Sequence, residues 1–143
     1  AAGGRIVPHP GGPLPGVGVA LAELSARYRI VLITKGDLWH QEQKLAASGL
    51  GELFVAVEIV SEKDAATYER AFTRHGTGAG AAAMCGNSMK SDVVPAVEAG
   101  CWGVYIPYPI IWAHEVAEAP VSHPRFAELA SISGLPAWVN ARA

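Results

Sequence analysis

Two cysteines in 143 residues, Cys85 and Cys101, cannot build a disulfide framework. No Cys-x-x-Cys pair or Cys/His quartet is present to hold structural zinc. A reducing, cytoplasmic setting is the simplest expectation. Charge is scarce as well. Only 17% of residues are charged, and 11 Lys+Arg against 13 Asp+Glu leave no basic excess. A chain of that balance lacks the positive face that nucleic acid or an anionic membrane would need. No apolar run reaches the roughly 18–20 residues of a membrane span. The stretch Ala1 to Pro15 has neither the charge nor the apolar core of a signal peptide.

What is abundant is apolar surface. Half the residues are hydrophobic, which excludes disorder and supplies one compact core at a length typical of a single domain, roughly 100–150 residues. The first sixteen residues carry two Pro/Gly clusters, Pro8-His9-Pro10-Gly11-Gly12-Pro13 and Pro15-Gly16, and read as an extended linker. From Val17 to Tyr28, apolar positions recur at three- and four-residue steps, the spacing of an amphipathic helix. Arg29 to Thr34 is a β-branched, nearly continuous apolar run, the pattern of a parallel strand covered on both faces.

The alternation continues. Leu38–Ser48 is expected as a helix capped by Asp37 and Gly49, Phe54–Val60 as a strand, and Ala65–His75 as a helix. Ala81–Cys85 is expected as a short buried strand, Asp92–Ala99 as a helix, and Gly103–Ile106 as a fourth strand. Strands alternating with helices predict a doubly wound, Rossmann-like α/β fold, with a parallel sheet and helices on both faces. The proline-punctuated tail from Ile110 to Ala143 predicts loops and a short helix around Arg125–Ile132.

In open parallel sheets, ligands bind beyond the carboxyl ends of the strands. The segments that follow the predicted strands are polar: Thr34-Lys35-Gly36-Asp37, Ser61-Glu62-Lys63-Asp64, Gly86-Asn87-Ser88-Met89-Lys90-Ser91-Asp92, and Pro107-Tyr108. Hydroxyls, helix-start amides, lysines and a carboxylate converging at one edge are the groups that bind phosphate and magnesium. Each residue also has a plainer explanation. Thr34, Asp37 and Ser91 are good helix caps, Asn87 and Ser88 are turn formers, Lys63 suits solvent, and Asp92 suits a first helical turn. Three such clusters after three successive strands weigh toward a site.

The remaining candidates carry less. His9, His40, His75, His114 and His123 fall on polar faces or beside prolines, and only His114, with Glu115, is placed to line a pocket. Cys85 has no histidine placed to activate it as a nucleophile.

Taken together, the three clusters resemble the haloacid dehalogenase-like superfamily, most of whose members are magnesium-dependent phosphatases. Val31-Leu32-Ile33-Thr34-Lys35-Gly36-Asp37 matches the family's second motif. Ser61-Glu62-Lys63-Asp64, 29 residues beyond Thr34, matches the third. Gly86-Asn87-Ser88-Met89-Lys90-Ser91-Asp92 matches the fourth, and Pro13 to Val17 looks like the segment that re-enters the core after a helical cap. The likeness runs from about Pro13 to Tyr108.

Two departures stand out. The family's first motif, Asp-x-Asp at the end of its first strand, is absent, and with it the nucleophilic aspartate. That strand lies mid-sheet in the family. The chain is therefore expected to be the carboxyl-terminal portion of a longer polypeptide, with residues 1–16 a linker from an upstream cap, 17–109 the core, and 110–143 an extension packed on it. The second departure is Asn87, where many relatives place a magnesium-contacting aspartate.

The resemblance implies phosphate binding by Thr34, Lys35, Gly36 and Lys63, with Thr34 and Lys63 catalytic. It further implies Mg2+ at Asp92 and Asn87, and Ser88, Tyr108 and His114 on the substrate side. The expected partner is a small-molecule phosphate ester, and a homodimer is left open. The alternatives are a non-catalytic phosphate-binding or interaction domain of the same fold and a carbon–halide hydrolase.

Overall fold

Short apolar, β-branched runs select extended backbone, and in the computed structural model, which describes residues 16–35, 43, 49–107 and 117–142, they become parallel strands. The elements in chain order are α1 (Val17–Ser25), β1 (Val31–Thr34), a 3-10 turn (Gly51–Leu53), β2 (Ala56–Ile59), α2 (Ala65–His75), a second 3-10 turn (Ala79–Ala81) and β3 (Ala83–Gly86). A widened π-type turn (Met89–Val93) leads into α3 (Val94–Glu98) and β4 (Trp102–Tyr105). The chain ends with β5 (Phe126–Glu128), a 3-10 turn (Ile132–Gly134) and α4 (Leu135–Asn140).

Local chemistry explains the boundaries. Gly16 precedes α1 with φ of +81°, a left-handed conformation that suits a residue without a Cβ. Asp64 caps α2, its Oδ1 accepting the Thr67 amide at 2.9 Å, and that hydrogen bond holds its carboxyl below the usual range.

Two apolar layers sandwich the strands. On one face Val17, Leu21 and Leu24 of α1 meet Ile30, Leu32, Cys85, Val104 and Leu135. On the other, Tyr68, Ala71 and Phe72 of α2 meet Val31, Ile33, Met84, Ala96 and Cys101. Alternate residues of the β1 segment thus enter opposite layers, as the two-residue period of a strand requires.

The expected continuous sheet is divided. β1 pairs with β2 in one parallel sheet, and β3, β4 and β5 form another, in that order. Among the described residues no backbone ladder joins β1 to β3, although both contribute to both apolar layers. The division falls where the resemblance puts the absent first strand.

The tail also corrects an expectation. The predicted helix around Arg125–Ile132 is instead strand β5, because the open edge of β4 offers backbone partners. Gly103 donates to the Arg125 carbonyl at 2.8 Å and Leu129 to the Tyr105 carbonyl at 2.9 Å. Those bonds outweigh the helical preference of Phe-Ala-Glu-Leu-Ala. The helix expected at Leu38–Ser48 and the linker before Gly16 lie outside the described residues. No helix among the described residues is long and apolar enough to cross a membrane.

The end of α2 is tied to β2 by Glu58, whose Oε1 accepts from His75 Nε2 at 2.6 Å and from an Arg74 guanidinium nitrogen at 2.8 Å. The His75 hydrogen bond above all, with Arg74 beside it, holds the Glu58 carboxyl below its usual range. A depressed carboxylate pKa means that the unfolded chain binds the proton more readily. Its stabilising contribution is therefore complete above the ordinary carboxylate pKa and is lost as pH falls through the lowered one. The thermal midpoint is accordingly expected to fall less steeply between about pH 5 and pH 3 in Glu58→Gln than in the parent, measured by circular dichroism.

Candidate functional site

Parallel pairing sends the carboxyl ends of β1 and β2 to one rim, and β3 with β4 does the same. Thr34 closes β1 and is buried. Its carbonyl accepts the Val60 amide at 2.9 Å, which sets it beside the segment leading to Lys63. Its hydroxyl donates to the Lys35 carbonyl at 3.1 Å.

Lys63 follows β2 and Asp92 follows β3, and the two meet. Lys63 Nζ lies 2.8 Å from Asp92 Oδ1, with the side chains 4% and 0% exposed. The second carboxylate oxygen, Oδ2, accepts the Ser88 amide at 3.2 Å. A carboxylate with no solvent access would be prohibitive alone. An ammonium and an amide on its two oxygens make it tolerable. This pair joins the two sheets at the rim.

The loop after β3 is shaped to deliver Asp92. Ser88 O accepts amides from both Asp92 and Val93, at 2.9 and 3.1 Å, and the second bond spans five residues, as in a π-turn. Ser88 Oγ accepts the Ser91 amide at 3.0 Å, capping the turn. Ser88 is itself buried. Gly86 is the clearance beneath the carboxylate. A Cβ built there would stand 2.1 Å from Asp92 Oδ2 and 2.7 Å from Asp92 Cβ, so no larger residue fits without displacing the acid.

Asn87 Oδ1 is a buried oxygen with no hydrogen-bond partner among the described residues. Such a group costs free energy unless something binds it. Asn87, one residue before the turn-capping Ser88, and Asp92, four residues after it, offer oxygen ligands of the kind magnesium takes. The donors are of the type the ion takes, with both Asp92 oxygens already engaged by Lys63 and the Ser88 amide. Among the described residues no group of three His, Cys, Asp or Glu gathers as a metal cage, so the fit rests on these oxygens.

Other expected residues stand apart. Lys35 lies 3.8 Å from Glu62, with the side chains 53% and 73% exposed, outside the buried pair. Gly36, Tyr108 and His114 lie outside the described residues. Burial pushes the Cys85 thiol up to about 11, so it stays protonated near neutrality. Two contributors were not legible as such: Gly86, whose need appears only when the Asp92 carboxylate folds back over the strand end, and Tyr68, a hydroxyl-bearing ring on the buried face of α2.

No protein-family profile and no curated protein sequence matches this chain. Solved structures do. A haloacid dehalogenase-like family hydrolase from Xanthomonas campestris is 43% identical, with a TM-score of 0.72 over 90% of this chain and 54% of that one. A phosphatase of the same superfamily from Thermococcus onnurineus is 22% identical, with a TM-score of 0.71 over 89% of this chain and 58% of that one. A magnesium-bound hydrolase of that superfamily from Bacillus subtilis is 16% identical, with a TM-score of 0.69 over 90% of this chain and 56% of that one. At those lower identities the last two share the fold. The chain spans a little over half the length of these relatives.

Gly86→Ala should destabilise the fold by about 1–3 kcal/mol, because a methyl group is forced against the Asp92 carboxylate. Urea unfolding checks this, and a midpoint unchanged from the parent would mean that the carboxylate does not rest on Gly86.

Proposed function

We propose that this chain, which belongs to the haloacid dehalogenase-like superfamily, forms most of the catalytic core of a magnesium-dependent phosphatase acting on a small phosphorylated molecule. The observation that carries the proposal is the buried Lys63–Asp92 pair at the strand carboxyl ends, with the orphaned Asn87 oxygen in the same loop as Asp92. Buried charges at a strand-end rim are expensive and are commonly kept for chemistry.

Each residue has a task. The Thr34 hydroxyl and the backbone amide that follows it donate to phosphoryl oxygens, and the Lys63 ammonium neutralises charge that builds up during transfer. Asp92 and Asn87 would hold magnesium, which supplies positive charge against the phosphoryl oxygens when bound. Asp92 also fixes the Lys63 ammonium, and Ser88 fixes Asp92. The nucleophile would be the aspartate of the family's first motif, on a strand between β1 and β3 that is not among the residues of this chain. It would attack phosphorus and break the ester P–O bond, the leaving oxygen taking a proton from the first motif's second aspartate to depart as the alcohol. Water then hydrolyses the aspartyl-phosphate to free the aspartate and inorganic phosphate. The interrupted ladder between the two sheets and the relatives' greater length support that placement.

A second reading, carbon–halide hydrolysis, is favoured by one observation: the Lys63 ammonium by itself balances the Asp92 charge. The full-length protein separates the two. Hydrolysis of p-nitrophenyl phosphate should require magnesium and should fall at least about a hundredfold in Lys63→Ala, since one preorganised oxyanion donor is worth about 10²–10³ in turnover. Magnesium-independent release of chloride from 2-chloropropionate, with no phosphatase activity, would favour the second reading. A loss under about threefold in Lys63→Ala would remove Lys63 from the chemistry.

A further inference from the structure

We propose that Tyr68 is a positioning residue that holds the Asp92 turn at its distance from Lys63, an inference that rests on Asp92 being a magnesium ligand. Tyr68 is fully buried, and its hydroxyl donates to the Ser91 carbonyl at 2.6 Å. A phenol in a core needs a hydrogen-bond partner, and this one takes the carbonyl of the residue immediately before Asp92.

Tyr68 brings this donor from α2, an element separate from the turn that carries Ser91.

The consequence is geometric. α2 begins just after Lys63, under the Asp64 cap, and Tyr68 lies five residues beyond Lys63. The loop just before α2 and α2 itself therefore reach one turn at two points, through Lys63 on the Asp92 carboxylate at 2.8 Å and through Tyr68 on the adjacent carbonyl at 2.6 Å. Within the turn the Ser88 amide already holds the second carboxylate oxygen, and Tyr68 adds an attachment from outside the turn, on the backbone next to Asp92. Residues behind a ligand tune metal affinity in this way, typically by 10- to 100-fold.

Tyr68 also packs in the apolar layer with Val31, Ile33 and Phe72, so the test must separate packing from positioning. Tyr68→Phe keeps the ring and removes only the hydroxyl. In the full-length protein, magnesium titrated by isothermal calorimetry should bind about tenfold more weakly to Tyr68→Phe than to the parent. Phe72→Leu, a packing control in the same layer, should lower the thermal midpoint and leave magnesium affinity unchanged. A Tyr68→Phe protein that melts earlier but binds magnesium like the parent, while Asp92→Asn has lost binding, would overturn the positioning role. Parent-like binding by Asp92→Asn would instead overturn the assignment of the metal to that edge, and the inference with it.

Discussion

An ammonium and a carboxylate, both withdrawn from water and 2.8 Å apart, set the terms for the rest of this molecule. Removing one partner of such a pair costs about 3–5 kcal/mol, because the other is left charged and dry. The neighbouring residues follow from keeping that arrangement: Gly86 leaves room, the Ser88 amide takes the second oxygen, and the π-type turn brings Asp92 back over the end of β3. Asp64 starts α2 immediately after Lys63 and so fixes where the ammonium leaves the backbone.

The pair also has an architectural role. Lys63 leaves the two-stranded sheet and Asp92 the three-stranded one, so their contact bridges the place where the ladder is interrupted. The apolar layers above and below run across the same interruption. Side-chain packing thus holds the two sheets in a common sandwich without backbone pairing between β1 and β3. Relatives roughly one and a half times as long share this part of the fold, which accords with a strand supplied from elsewhere in the polypeptide.

Much of this was legible in the letters because the governing signals are local. The apolar run ending at Thr34 and the 11-residue helix Ala65–His75 are set by periodicity and capping, and both stand where their spacing put them. The polar clusters after the strands were visible for the same reason. What was not legible depends on partners distant in sequence. Phe126–Glu128 has helical composition and becomes a strand because β4 offers an edge. Tyr68 is an aromatic of a helix interior like any other in the sequence, and its bond to the carbonyl before Asp92 joins residues 23 positions apart. The orphaned oxygen of Asn87 is likewise a fact of three-dimensional surroundings.

A double-mutant cycle on unfolding free energy tests the coupling at the centre of this account most directly, using Lys63→Met, Asp92→Asn and the combined variant of the full-length protein. The buried pair predicts that the combined variant is less destabilised than the sum of the single ones, by about 1.5–3 kcal/mol. Additivity within about 0.5 kcal/mol would contradict it, since two groups that do not depend on each other cannot be what joins the two sheets at the rim.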